Sequence, residues 1–333
     1  SVRGAESSNV NPAGLVLERN ELFLSGGVNL NQEEFQPVLK GLKKTEASWN
    51  FPFLAAYSHG FSERVFLGLA FSQQKVFDVE FKTSSDENAY DFQLELTQFQ
   101  LSPAIGIKLS SRWSLGAAWN ISKGHHLLHS EEGPAPLRLM DEDWSFSRFV
   151  VGAIYQGDRF ALGLRISTKQ QFELRDKNEN LDFETAHSLA FGFHYYFLDE
   201  WVLHADVEYH FNSEQHFRGV QQNWSDQKIA RIAFSYEAVR SWSFHAGYSF
   251  YSQFADQNSV SEHFLIAGTH HQVGAGAEKR FQLTNGDQIR SSLGLSYTMG
   301  IGSGPRADDR SSSGLLILGP VSYTHLTLPT SPH

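Results

Sequence analysis

The sequence predicts an all-β fold: a transmembrane antiparallel up-and-down β-barrel of about 14 strands with an N-terminal plug. Three observations carry this expectation. Long stretches alternate apolar and polar residues, connections alternate between short and long, and aromatic residues gather beside the short ones. No apolar run approaches the roughly 18 residues that a membrane helix needs. Any crossing of a membrane therefore has to be made by strands.

Composition narrows the field. The 333 residues are 41% hydrophobic and 19% charged, with 27 Phe, 11 Tyr and 7 Trp, which excludes a disordered chain. A formal net charge of −10 argues against a nucleic-acid partner. The absence of Cys excludes disulfides and thiolate metal sites.

The alternation is strict where it is strongest. Between 201 and 211, Trp201, Leu203, Ala205, Val207, Tyr209 and Phe211 alternate with polar residues. Trp113, Leu115, Ala117, Trp119 and Ile121 repeat the pattern, as do Trp242, Phe244, Ala246, Tyr248 and Phe250. These runs last roughly 10–15 residues, where soluble strands last about five or six. A membrane-spanning strand needs about 9–11.

Strands are expected near 21–30, 49–58, 64–82, 90–108, 112–123, 144–156, 159–174, 185–197, 200–212, 225–238, 241–252, 262–281 and 287–301, with a last, truncated one from about 313. Short turns fall near 59–63, 109–111, 157–158, 198–199, 239–240 and 282–286; long polar loops lie between them, the largest near 31–48 and 124–143. Tyr57, Phe61, Trp113, Tyr155, Phe160, Phe197, Trp201, Trp242 and Phe281 flank the short turns as an interfacial girdle would. A soluble sandwich or propeller is the competing reading. It is disfavoured by strand length and by the lack of a blade-length repeat.

The segment "WVLHADVEYHFN" fixes the phase. If Leu203, Ala205, Val207 and Tyr209 face lipid, then His204, Asp206, Glu208 and His210 face the lumen. The opposite phase puts two carboxylates into hydrocarbon, which is unfavourable at any depth. The same phase turns Arg148, Arg165, Arg231, Arg290, His194 and His245 inward as candidate lumen or ligand residues. Gly68, Gly116, Gly152, Gly163, Gly192, Gly247 and Gly294 also turn inward near the short-turn end. Either a plug packs on them or they permit tight coiling of the sheet. Residues i and i+2 of one strand stand roughly 6.5–7 Å apart, too far for compact metal ligation. No metal, cofactor or catalytic residue is expected.

"NPAGL" (11–15) followed by "ELFLSGGVNL" resembles the hatch-to-first-strand junction of the long-chain fatty acid transporter (FadL/TodX) family of outer-membrane proteins. "LSPAIGIKLSSRWSLGAAWN" is similar to its central hairpin, and "WVLHADVEYHFNSEQHF" with the strands that follow is similar to its late strands. The resemblance implies a 14-stranded barrel, a hatch motif at Asn11, Pro12, Ala13 and Gly14, and a third-strand kink at Gln73, Gln74 and Lys75. It departs from the family pattern at His245 and at Asn212-Ser213.

The expected organisation is a partial hatch at 1–20, a barrel at 21–320 and a non-native tail at 321–333. "VSYTHLTLPT" resembles a translated sequencing adaptor, so the natural protein is expected to continue differently past Pro320. Ser1 is not an initiator, and a leader is expected to have been removed or not recorded. The expected function is passive passage of long-chain fatty acids or other hydrophobic small molecules across a Gram-negative outer membrane, by a monomer in contact with outer-membrane lipid. A non-transporting barrel that acts as a scaffold in secretion or assembly is the alternative. An enzyme is not expected.

Overall fold

The computed structural model describes residues 4–18, 20–35, 43–44, 48–82, 90–132, 135–169, 171–175, 180–184, 186–214, 216–217, 220–221, 225–238, 241–252, 269–282, 288–303 and 310–319. For part of these, chiefly the upper parts of the long hairpins and the last strand, only the backbone is described. The tail at 321–333 lies outside the described residues.

Apart from short 3₁₀ turns the regular structure of the described residues is β. The principal strands are β1 (Asn20–Gly26), β2 (Val28–Phe35), β3 (Phe53–Gly60), β4 (Val65–Lys82), β5 (Tyr90–Lys108), β6 (Trp113–Glu132), β7 (Ala135–Gln156) and β8 (Phe160–Ser167). They continue as β9 (Ser188–Leu198), β10 (Trp201–His210), β11 (Gln227–Ala238), β12 (Trp242–Tyr251), β13 (Thr269–Gln282), β14 (Gln288–Ser303) and β15 (Arg310–Gly319).

From β3 onward each strand pairs antiparallel with the next, as an up-and-down barrel requires. The two ends of the meander meet at the first strand. β1 pairs with β3 and β2 pairs with β15, and only Gly27 separates β1 from β2. Among the described residues β1 has a ladder on one edge alone, so the described sheet is not closed at that height. No described helix is long and apolar enough to cross a membrane.

The short turns share one device. The carbonyl just before a strand accepts the N–H of a residue at or near the end of the neighbouring strand. Arg64 O binds Lys108 N at 2.8 Å, Arg112 O binds Gln156 N at 2.7 Å, and Arg159 O binds Tyr196 N at 2.8 Å. Glu200 O with Glu237 N (2.7 Å) and Ser241 O with Arg280 N (2.8 Å) repeat it. Each bond closes a ladder at the short-turn rim and so fixes the stagger of neighbouring hairpins.

The period-2 pattern resolves into two faces. Val207 is 55% exposed and Glu208 9%, so the apolar residue looks outward and the acid inward. Leu69, Ile107, Leu115, Phe191 and Leu293 are exposed on the same outer face. Trp113 packs on Tyr155, and Phe197 on Trp201, beside the short turns as an aromatic girdle.

The upper ends differ from expectation. β6 and β7 run to Glu132 and from Ala135, so most of the stretch read as a long loop near 124–143 is paired strand. The reason is physical. Apolar alternation marks a strand only where one face is buried. Backbone ladder bonds need no such alternation, so a paired hairpin can lack that mark. Four short strands at 171–175, 180–184, 216–217 and 220–221 form a separate small sheet.

Candidate functional site

The N-terminal segment forms two short 3₁₀ turns, Gly4–Ser8 and Pro12–Leu17. The second begins as its sequence dictates. Asn11 caps it, its side-chain oxygen accepting from Ala13 N at 3.2 Å, and Pro12 occupies the first position, where no N–H is required. Gly14 N closes the turn on Asn11 O at 2.9 Å. Pro12, Ala13, Gly14 and Leu15 are buried.

What buries them is the inner wall. Atoms of Asn11 occupy the space a side chain at Gly152 would fill, and the Pro12–Ala13 peptide does the same at Gly116. Leu15 packs into the gap left by Gly68 and Gly106, where an added Cβ at Gly106 would stand 3.0 Å from Leu15 Cβ. Hydrogen bonds fix the contact. Ser114 Oγ donates to Ala13 O at 3.1 Å and Asn11 Nδ2 to Leu164 O at 3.3 Å. Gln100 donates to the Asn9 side chain. Ala5 N donates to the buried Glu21 carboxylate at 2.8 Å, and Phe23 packs on Ala5, Ala56 and Ala70. Arg290 binds Glu18, just beyond the second turn, at 3.0 Å.

The inward glycines therefore divide. Gly68, Gly106, Gly116 and Gly152 receive the N-terminal segment, and Gly163 lies within contact distance of Asn11. Gly192, Gly247 and Gly294 meet only neighbouring strand atoms: a Cβ at Gly247 would approach Ala233 Cβ at 3.0 Å. The first group is close to the N-terminal segment and the second only to strand atoms of the wall. Gly106 was missed, although it falls on the inward phase of β5.

The inward charges gather on a second arc. Arg231 Nη1 binds Asp206 at 2.5 Å and Nη2 binds Glu208 at 3.2 Å. Arg165 binds the other oxygen of Glu208, and His210 Nε2 lies 3.1 Å from it. Arg148 faces inward as well, with Arg165 and Glu208 as its charged neighbours. Arg290 stands apart from this cluster and serves the N-terminal segment instead.

The histidines form a third group. His194 Nδ1 meets His204 Nδ1 at 3.2 Å, His204 Nε2 meets Ser235 Oγ at 3.0 Å, and Ser235 Oγ meets His245 Nδ1 at 2.7 Å. The ladders His194–His204 and Ser235–His245 set this line. Ser235 was not foreseen, because a lone Ser carries no signal until its cross-strand neighbours are known. Among the described residues no three His, Cys, Asp or Glu side chains are grouped to hold a metal ion.

At the predicted third-strand kink, the β4–β5 ladder shifts register between Lys75 and Phe77. The β3–β4 ladder ends at Phe53 and Gln73. Gln73 is exposed, while the side chains of Gln74 and Lys75 lie outside the described residues.

A barrel with an N-terminal segment against its inner wall, a charged arc beside it and a defect in its third span is the arrangement to compare. The sequence profile of the family described as "Putative MetA-pathway of phenol degradation" matches residues 108–307. The chain belongs to that family. Curated proteins give no sequence match. Among solved structures, the Pseudomonas putida toluene transporter TodX superposes with a TM-score of 0.73 at 13% identity, over 98% of this chain and 95% of that one. The Ralstonia pickettii toluene transporter TbuX gives 0.69 at 12%, over 97% and 94%. A Pseudomonas aeruginosa FadL homologue gives 0.67 at 12%, over 98% and 94%. At these identities the likeness establishes architecture: this family member has the outer-membrane barrel fold of the FadL/TodX proteins.

Proposed function

We propose that the protein is an outer-membrane channel through which small hydrophobic molecules pass without an energy source, with the N-terminal segment as its plug. The observation that carries this reading is the pairing of two features. The lumen is obstructed on one arc by residues 4–17, and the third span loses its partner β3 past Gln73 and bulges past Lys75. A bulged stretch of wall, paired among the described residues on one edge only, is where a molecule stopped by a plug can leave sideways into the membrane.

A monoaromatic cargo is favoured by the family's description and by the toluene transporters among the structural neighbours. A long-chain fatty acid is the second reading. It is favoured by the inward Arg148, a cation beside a passage that could meet a carboxylate. We assign no catalytic residue and read the chain as acting alone.

Uptake decides between these. Cells making the protein should take up dilute labelled toluene faster than cells carrying the empty vector, and labelled oleate no faster. Faster oleate uptake alone would favour the fatty acid. No gain with either would support the scaffold reading.

A further inference from the structure

We propose that Trp242, Lys279 and Phe281 form a binding site for the phosphate of an anionic phospholipid in the periplasmic leaflet, the side on which outer-membrane barrels keep their short turns. The proposal is independent of what passes through the lumen.

The argument begins with register. Trp242 and Lys279 are direct ladder partners on β12 and β13, one step from the short-turn rim. The outer face of β13 is marked by Val273, 53% exposed, and Phe281, 43% exposed, and Lys279 has the same parity. Its ammonium stands 5.0 Å from the centroid of the Trp242 ring and 5.0 Å from that of Phe281. Phe244 stacks beside Trp242 at 6.2 Å and 6°, extending the apolar floor toward the membrane.

Among the described residues the neighbouring acids, Glu278 and Glu237, are committed elsewhere. Arg280, of opposite parity, binds Glu278 at 3.0 Å and Glu237 at 3.8 Å. The Lys279 side chain thus ends on the lipid-facing surface, where its partners among the described residues are two π faces. Ring faces attract an ammonium but leave its N–H donors available. At the girdle, lipid phosphates are the acceptors at that height. The indole N–H of Trp242 is a second donor on the same ladder rung. Phosphatidylethanolamine and phosphatidylcholine carry their own cation beside the phosphate. Phosphatidylglycerol does not, so its phosphate gains most from an external ammonium.

Native mass spectrometry of the full chain in detergent, titrated with phosphatidylglycerol or phosphatidylcholine, tests the site. The parent should retain phosphatidylglycerol several-fold more than phosphatidylcholine. Lys279→Gln should abolish that preference, Lys279→Arg should preserve it, and Trp242→Leu should weaken it. Heat-modifiable migration on gels confirms that each variant is folded. Equal retention of phosphatidylglycerol by folded Lys279→Gln and parent would overturn the proposal. Complete displacement by millimolar inorganic phosphate would also overturn it, because the site would then take a free anion and not a lipid.

Discussion

Arg165 on β8 reaches across β9 to bind Glu208 on β10, passing over Ala190, which is the ladder partner of both. A larger residue at 190 would occupy the path of the guanidinium. The inner face thus holds a bond between strands that are not neighbours, and the small residue between them is a requirement of that bond.

Glu208 is the hub of this arc, with Arg165, Arg231 and His210 on its two oxygens. Removing its charge takes from Arg165 its carboxylate and leaves Arg231 with Asp206 alone, in a wall where Glu208 itself is 9% exposed. Glu208→Gln should lower stability by roughly 2–4 kcal/mol, less than a fully buried pair because Arg231 is partly wetted. Ala190→Leu should act in the same direction through steric blockage. Urea unfolding midpoints in detergent measure both. Parent-like midpoints for both variants would mean the arc adds nothing to stability.

The division of the glycines gives a second test. Gly152→Leu must displace Asn11, and Gly116→Leu must displace the Pro12–Ala13 peptide. Gly192→Leu meets no N-terminal atom; its nearest neighbour is Asp206 Cβ at 3.9 Å. The first two substitutions should make residues 4–17 accessible to protease from the periplasmic side while the barrel stays folded. The third should leave them protected. Equal protection in all three would show that these contacts do not hold the segment.

The chain has no Cys, so orientation can be read by single substitutions. In intact membranes a lipid-soluble thiol reagent should modify Val207→Cys and spare Asp206→Cys. The reverse outcome would invert every inward assignment on β10 and, through the ladders, on β9 and β11.

How much of this was legible in the sequence follows from what burial leaves in it. The outer face of β10 could be read because hydrocarbon demands apolar residues at every second position. The cap at Asn11-Pro12 has a local cause in turn chemistry, although the sequence picks it out only through the family resemblance. The extended hairpin of β6 and β7 could not be read, because its residues lack a strict alternation and its backbone ladder leaves no mark in the sequence. Nor could the choice of partner. Arg290 and Arg165 carry the same inward phase, yet one binds Glu18 and the other Glu208, and only the three-dimensional register separates them. The polar residues that hold the N-terminal segment, Gln100 and Ser114, share the phase of Gly106 and Gly116, but that phase gives no hint of what they face.

The last prediction concerns pH and lies outside the membrane-spanning strands. Asp226, just ahead of β11, accepts from the Tyr209 hydroxyl at 2.5 Å, from Ser213 N at 3.0 Å and from Ser213 Oγ at 2.7 Å. Desolvation pushes its carboxyl upward, but these hydrogen bonds and the nearby Lys228 outweigh it and hold the group below the usual carboxylate range. A folded value below the unfolded one means that the charged form is favoured by folding. The contribution is complete above the usual carboxylate range and is lost as pH falls through the lower, folded value. What it fastens is the 3₁₀ turn Asn212–Glu214 at the top of β10. The Ser213 amide proton should therefore shift, in solution NMR, with a midpoint below that of an ordinary aspartate, and should show no such step in Asp226→Asn. Between about pH 5 and pH 8 the parent's signal should not move, because the carboxylate is already fully charged there. A midpoint at or above the usual aspartate value would mean that burial outweighs the hydrogen bonds and that the turn is held by something else.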